Sequence, residues 1–270
     1  MSVPWDLTDK VAVVTGAGKG IGAAVTRELL DAGARVVAGS RDAGTDLAGL
    51  ASDEVLATVD VDLSTADGPG RLVATAIERF GGLDVLVNNM GGLAGGGPRF
   101  GGFLSVSDAD WLRAVELNLL SAVRAIRAAV PVLLERGGGA IVNVGSVNAA
   151  LPDPSVVDYS ATKAALTNLG KSLSAEFAPQ GIRVNTVSPG PVRTPLWTAP
   201  GGLGEQLASA IGSDLEGAMR AMADGLGGIK LGRFGTAEEI AHLVVFLASP
   251  AASWMTGSDV RIDGGLVKTV

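Results

Sequence analysis

Apolar positions fall along this chain in two registers. The first is a set of short continuous runs rich in Val, Ile, Leu and Ala: Val11 to Thr15, Arg35 to Ala38, Val55 to Val59, Asp84 to Val87, Ala140 to Val144, Ile182 to Val187 and Val260 to Ile262. Runs apolar at consecutive positions belong to strands buried on both faces, which is the parallel-sheet pattern. The second register has apolar residues three and four apart. It predicts helices over Ile21 to Ala32, Ala66 to Phe80, Asp108 to Arg136, Asp158 to Ala178 and Ala237 to Ser249. Glycines stop several of them, at Gly33, Gly81-Gly82 and Gly137-Gly138-Gly139, and Pro179 and Gly181 lie beyond the fourth. The alternation predicts an α/β fold: a doubly wound, mostly parallel seven-stranded sheet with helices on both faces. With no internal repeat or linker, residues 1–270 read as a single domain.

Two glycine-rich stretches interrupt the pattern. Gly91 to Gly102 follows the fourth strand, and Gly201 to Gly228 lies in a longer insert after the sixth. Both follow carboxyl ends of strands, where open α/β sheets bind ligands. They read as active-site lids, with surface loops as the plainer alternative, and the insert is assigned to 195–228. Its Leu196, Trp197, Leu203, Leu207, Met219, Met222 and Leu226 suggest a cover over a fairly apolar substrate, although the same residues would also serve to pack it on the domain.

Composition narrows the chemistry. The absence of Cys rules out disulfides, thiol catalysis and Cys-based zinc sites, and a single histidine leaves neither a His-rich metal site nor a Ser-His-Asp triad. No metal is expected. That histidine, His242, lies in an apolar helical stretch and reads as a packing residue. A net charge of -7 argues against nucleic acid as a partner. No apolar run is read as a membrane span; Ala122 to Leu134 comes closest and is broken by Arg124 and Arg127. Met1 to Lys10 lacks the pattern of a signal peptide, so the expected compartment is the cytoplasm.

The only tyrosine, Tyr159, stands four residues before Lys163, on one face of a predicted helix. A phenol titrates near 10, and bringing it to about 7 takes roughly 4 kcal/mol of preference for the phenolate. An ammonium about 4 Å away supplies on the order of 1 kcal/mol in water and about 4 kcal/mol at an effective dielectric near 20. The pair therefore makes an acid/base only in a shielded cleft.

The first strand runs into Thr15-Gly16-Ala17-Gly18-Lys19-Gly20-Ile21-Gly22. Glycines let backbone approach a phosphate, and the following helix offers free N–H groups and a positive dipole end. The spacing departs from strict G-x-G-x-x-G and lacks the ending of a P-loop. At the end of the second strand, Ser40 occupies the place where an NAD site usually has an acidic residue, and Arg41 follows. With Lys19 these groups suit a 2′-phosphate, so NADP(H) is preferred and NAD(H) stays open. The adjacent Asp42 is read as pointing to solvent or starting the next helix.

Taken in order, Thr15 to Gly22, Asp62-Leu63, Asn88-Asn89-Met90-Gly91, Asn118, Ser146, Tyr159-Ser160-Ala161-Thr162-Lys163 and Ser188-Pro189-Gly190 make the chain resemble the classical single-domain short-chain dehydrogenase/reductases, over nearly its full length. The resemblance implies a Rossmann-type fold and the following roles. Tyr159 is the general acid in reduction and the base in oxidation. Ser146, at the family's usual separation from Tyr159, hydrogen-bonds the substrate oxygen. Lys163 contacts the nicotinamide ribose and lowers the Tyr159 pKa, and Asn118 holds a water that continues the proton relay. Gly16, Lys19, Gly20, Ile21 and Gly22 cradle the cofactor phosphates. Asp62 and Leu63 flank the adenine, and Asn89 and Gly91 lie against the riboses. Pro189 and Gly190 lead to Val192 and Thr194, which hold the carboxamide. Plainer readings stand beside three of these: Asn118 as a kink, Asp62 as a helix cap and Ser146 as a turn residue. Met90 replaces the family's usual alanine, and Arg193 has no assigned role.

The activity expected is NADP(H)-dependent interconversion of a carbonyl and a secondary alcohol. The alternatives are a non-catalytic NADP-binding sensor or scaffold and a dehydratase or epimerase on the same fold. The resemblance also implies a homo-oligomer, tetramer or dimer, built on the helices at Asp108 to Arg136 and Asp158 to Ala178 and on the end at Gly264 to Val270.

Overall fold

The computed structural model describes residues 5–43, 47–94, 97–98 and 101–269. Among the positions singled out above, residues 1–4, Gly95, Gly96, Arg99 and Phe100 in the first glycine-rich stretch, and Val270 lie outside them.

Nine strands are present among the described residues: β1 (Val11–Thr15), β2 (Arg35–Ser40), β3 (Leu56–Asp60), β4 (Val85–Asn88), β5 (Gly139–Val144), β6 (Ile182–Pro189), β7 (Val192–Arg193), β8 (Gly235–Thr236) and β9 (Asp259–Ile262). The α-helices are α1 (Gly20–Asp31), α2 (Gly68–Phe80), α3 (Asp108–Val115), α4 (Ser121–Glu135), α5 (Val157–Phe177), α6 (Pro195–Thr198), α7 (Leu203–Ile211), α8 (Leu215–Gly225) and α9 (Ala237–Ala248). Seven strands form one sheet in the order β3-β2-β1-β4-β5-β6-β9, and every pairing in it is parallel. All five residues of β1 and all four of β4 are buried, as a sheet covered on both faces requires. One face carries α1 and α9, where Ala23, Ala24 and Val25 meet Ile240, Ala241 and Val244. The other carries α2 and α4, through Leu72, Ala76, Ala125, Ala129 and Leu133. Strand order reverses between β1 and β4, so the crevice for a ligand lies above their carboxyl ends.

The predicted helix at Asp108 to Arg136 is α3 and α4 joined by a π-helical segment, Glu116–Leu120, with Asn118 fully buried at its centre. By length and composition alone Asp108–Glu135 is long and apolar enough to cross a membrane. Here the buried face of α4 lies on the sheet. The helix predicted from Ala66 begins at Gly68 instead, because Thr65 closes a turn on Asp62 and accepts from Gly68 N. The insert holds α6, α7 and α8, and β7 and β8 form a separate two-stranded parallel ribbon around it. His242 lies on the exposed side of α9, its Nε2 3.3 Å from Glu28 Oε1, so it is not the packing residue expected. The C-terminal segment turns Leu266 into the insert's own apolar cluster.

Candidate active site

The carboxyl edge of β1 and β4 is tied together by one hydroxyl and one amide. Thr15 Oγ1 accepts from Asn89 N and Met90 N, both at 3.0 Å. Asn89 Nδ2 donates to Thr15 O at 3.1 Å and Gly16 O at 2.9 Å. Asn89 therefore shapes the glycine loop through its side chain. The loop needs glycine for space: a Cβ on Gly22 would lie 2.2 Å from Gly16 O, and one on Gly18 would lie 2.4 Å from Ser40 Oγ. Gly16 and Gly20 also take positive φ, at 67° and 57°. Lys19 caps α1 with extended backbone and no side-chain hydrogen bond, and no acidic residue occupies the first turn. Free N–H groups and a close-packed backbone make this a cradle that fits a pyrophosphate.

Around the cradle stand the other predicted contacts. Thr194 Cβ would sit 3.3 Å from a Cβ on Gly20, so the segment after β6 closes on the start of α1. Val192 is buried in the short ribbon, and Gly190 packs against Asp263 too closely for a Cβ. Ser40 Oγ accepts from Asp42 N at 3.3 Å, and Arg41 and Lys19 are exposed beside it. Asp62 caps no helix: its Oδ1 accepts from Ser64 N and Ser64 Oγ, which holds its carboxyl below the usual value, with Arg41 adding to the effect. The Leu63 side chain is 1% exposed and lies in the sheet core, which leaves only its backbone to face an adenine. Met90 likewise packs partly into that core.

The chemistry-bearing residues converge between β4, β5 and α5. Ser146 follows β5 in extended backbone (φ -168°), and its Oγ accepts from Asn148 N. Lys163, 3% exposed, donates from Nζ to Val144 O at 2.8 Å and lies 5.6 Å from the Tyr159 ring centroid. A Cβ added to Gly91 would stand 2.9 Å from Asn118 Oδ1 and 3.0 Å from Lys163 Nζ. Four separate segments thus meet behind the phenol. The Asn118 amide is committed locally: Nδ2 donates to Gly92 O and Ala114 O, and Oδ1 accepts from Gly92 N at 2.8 Å. The kink and the site coincide, since the π segment places Asn118 there, and π-bulges recur at functional sites.

The electrostatics run opposite to the sequence expectation. Burial pushes the Tyr159 phenol above its ordinary value, and a side-chain hydrogen bond with Ser146 pulls it back only in part. Burial also pushes the Lys163 ammonium down to about 8. Desolvation disfavours both charged forms. The protein alone therefore holds Tyr159 as a neutral phenol, a proton donor rather than a preformed base.

The insert closes this region from the side. Trp197, Leu203 and Met219 pack with Val147, next to Ser146, and Trp197 meets Phe234 edge-on at 5.2 Å. Arg193, left without a role above, is ion-paired to Glu216 of α8 at 2.7 Å. From the opposite side, Leu93 joins the same cluster and Gly97 approaches Leu203 and Gln206 of α7.

Comparison with known proteins agrees with this arrangement. Residues 16–267 match the pattern of the family described as Enoyl-(Acyl carrier protein) reductase. L-rhamnose 1-dehydrogenase (NAD(P)(+)) of Azotobacter vinelandii is 38% identical over 269 residues, which cover 96% of this chain and 97% of that protein. Dehydrogenase/reductase SDR family member 4 of Homo sapiens is 34% identical over 267 residues, covering 96% and 88%. The crystal structure of L-sorbose reductase from Gluconobacter frateurii, complexed with NADPH and L-sorbose, matches with a TM-score of 0.90 at 33% identity, over 99% of this chain and 100% of that one.

Proposed function

Since the chain belongs to the short-chain dehydrogenase/reductase family and is an NAD(P)-dependent oxidoreductase, we propose that it interconverts a carbonyl and a secondary alcohol with NADP(H), using Tyr159 as the acid/base. The observation that carries this reading is the neutral phenol beside the Ser146 hydroxyl, with the Lys163 amine behind both. When bound, the nicotinamide supplies or takes up the hydride. In the reductive direction Ser146 donates a hydrogen bond to the carbonyl oxygen, which stabilises the charge that develops there. Tyr159 then gives its proton to the same oxygen. Lys163 has three donors and spends one on Val144 O, so two remain for a ribose and a water. That water sits against main-chain carbonyls of the π turn, because the Asn118 amide is already engaged. In oxidation the phenol must ionise, and burial alone opposes that. The free chain therefore rests in the protonation state that reduction draws on.

The cofactor preference rests on Lys19, Ser40 and Arg41: Gly18, next to Lys19, packs on Ser40 Oγ at the end of β2, and Lys19 and Arg41 are exposed. Gly16, Gly20, Ile21 and Gly22 cradle the phosphates, Asp62 and the Leu63 backbone border the adenine, and Asn89 and Gly91 border the riboses. Pro189, Gly190, Val192 and Thr194 form the wall opposite. The insert at 195–228 acts as a lid over a fairly apolar substrate. The chain works as a homo-oligomer, an arrangement that would cover Leu112 and Trp254, which are 67% and 99% exposed.

The test is to mix the protein with NADPH or NADH and a panel of ketones and follow the absorbance of the reduced cofactor. Turnover with NADPH in preference to NADH, abolished in Tyr159→Phe, is the expected result. Full-rate turnover in that variant would end the mechanistic reading.

A further inference from the structure

A cleft of about 510 Å³ lies between the α7–α8 hairpin and the turn after Ser146. Leu151 and Pro154 line it from the turn, Leu207 and Ile211 from α7, and Met222 and Leu226 from α8. No side chain in this wall carries an N–H or O–H donor. Its one charged group, Asp153, already accepts at Oδ1 from Ser155 N and Ser155 Oγ, at 2.8 and 2.7 Å. The turn is fixed to the chemistry at both ends. Leu151 N donates to Val147 O at 2.7 Å, one residue from Ser146. Ser160 Oγ, next to Tyr159, accepts from Asn148 Nδ2 and Asp153 N. Ser146 and Tyr159 are not in the lining themselves, so the turn that lies between them in the chain is the link from the site to the cleft.

We infer that the cleft is a subsite for a hydrocarbon arm of the substrate, an alkyl or aryl substituent on the carbonyl carbon. The inference rests on the reading that Ser146 and Tyr159 hold that carbonyl. The lining decides the class. An apolar arm gains by leaving water, whereas each hydroxyl of a sugar-like arm would give up water for a wall that offers it almost no partner. This chain then differs in substrate from the relatives named for L-rhamnose and L-sorbose, although it shares their fold. The insert's apolar residues divide accordingly: Trp197, Leu203 and Met219 are buried in the cluster that holds it to the domain, while Leu207, Met222 and Leu226 pack partly on that cluster and also line the cleft.

The experiment separates binding from chemistry. Tyr159→Phe chain loaded with NADPH is titrated calorimetrically with methyl ketones bearing ethyl, butyl, hexyl and octyl arms, and with L-sorbose. The expected Kd falls about fourfold per added methylene, and L-sorbose binds more weakly than the octyl ketone. Adding Met222→Gln should cut the octyl-to-ethyl affinity ratio at least about tenfold. If that double variant does not fold, the length series alone decides. A Kd independent of arm length, or tighter binding of L-sorbose, overturns the inference; a flat series would mean that something else covers the cleft, such as a second copy of the chain. Turnover by the unmodified chain reports on the catalytic reading by itself. Length-dependent binding without reduction of any ketone would sink that reading and leave the subsite standing.

Discussion

The two edges of the sheet use similar residues to opposite ends. At the amino edge the charged groups spend their hydrogen bonds on fixed partners within the fold. Asp84, 7% exposed, accepts from Val11 N, takes Arg136 on both oxygens at 3.1 and 2.9 Å, and has Lys10 Nζ at 3.6 Å. Arg183 collects the carbonyls of Leu247, Ala248, Ser249 and Met255 at the end of α9. At the carboxyl edge the groups are buried with capacity to spare. Lys163 uses one donor, Tyr159 is held neutral, and Asn88 and Asn143 share one hydrogen bond and leave Asn88 Oδ1 and Asn143 Nδ2 unpaired. Buried polar groups are normally satisfied, so these unpaired atoms set the carboxyl edge apart from the amino edge among the described residues. One edge holds the chain together and the other is held by it.

That contrast is sharpest for one substitution at each edge. Tyr159→Phe removes the proton donor and leaves the packing of the ring. Carbonyl reduction should fall on the order of 10³-fold, as loss of a general acid does, with a thermal midpoint close to that of the unmodified chain. Asp84→Asn strands Arg136 beside an uncharged amide. Because the Arg136 side chain left behind is 36% exposed, the loss should cost only about 1–2 kcal/mol in denaturant unfolding, while turnover per folded molecule is unchanged. If Tyr159→Phe proved as destabilising as Asp84→Asn, or Asp84→Asn slowed catalysis directly, the division between the edges would fail.

How far the sequence carries depends on what sets each feature. Strands whose runs are apolar on every residue were legible because their burial needs no knowledge of neighbours: all seven expected strands are found, with ends shifted by one or two residues. The π turn was not, because its Asn118 is held by a contact distant in sequence, the main chain of Gly92. Asp62 reads as a cap by type, yet it turns toward Ser64. The convergence of Ser146, Tyr159 and Lys163 was legible from their order along the chain. The direction of the phenol's shift was not, since spacing reports the neighbouring lysine but not the burial that raises the phenol. Likewise the insert's apolar residues were visible, but their division between core and cleft is a property of packing.

Glycines extend the comparison to the backbone. A Cβ on Gly22 would press on Gly16 O at 2.2 Å and Asn89 Nδ2 at 2.5 Å, so Gly22→Ala must open the phosphate cradle. NADPH affinity, read by fluorescence titration, should weaken about thirtyfold, a loss of roughly 2 kcal/mol. Gly81, which ends α2 at φ 80° with nothing near its missing Cβ, is the matched control. Gly81→Ala should cost about 1 kcal/mol of stability through backbone strain and leave NADPH affinity unaltered. Equal losses of affinity in the two variants would mean that the cradle tolerates a methyl group.

The smallest effect tests the buried amine itself. Lys163 titrates at about 8 in the folded chain, against an ordinary lysine value of 10.5. Between those values the unfolded chain carries a proton that the folded chain has shed, so this residue's contribution to stability rises with pH across that window and is flat below it. Lys163→Met removes the titration and keeps an apolar side chain of similar length. The stability of the unmodified chain relative to this variant should therefore grow by about 1 kcal/mol from pH 8 to pH 9, measured by denaturant unfolding without cofactor. Tyr159 adds little there, because its pKa is raised in the folded chain and its ordinary value of 10.0 leaves it mostly neutral in the unfolded chain at these pH values. A relative stability that stays level across the window would mean that Lys163 remains charged in the folded chain. The carboxyl edge would then be as well matched as the amino edge, and the contrast between them would be lost.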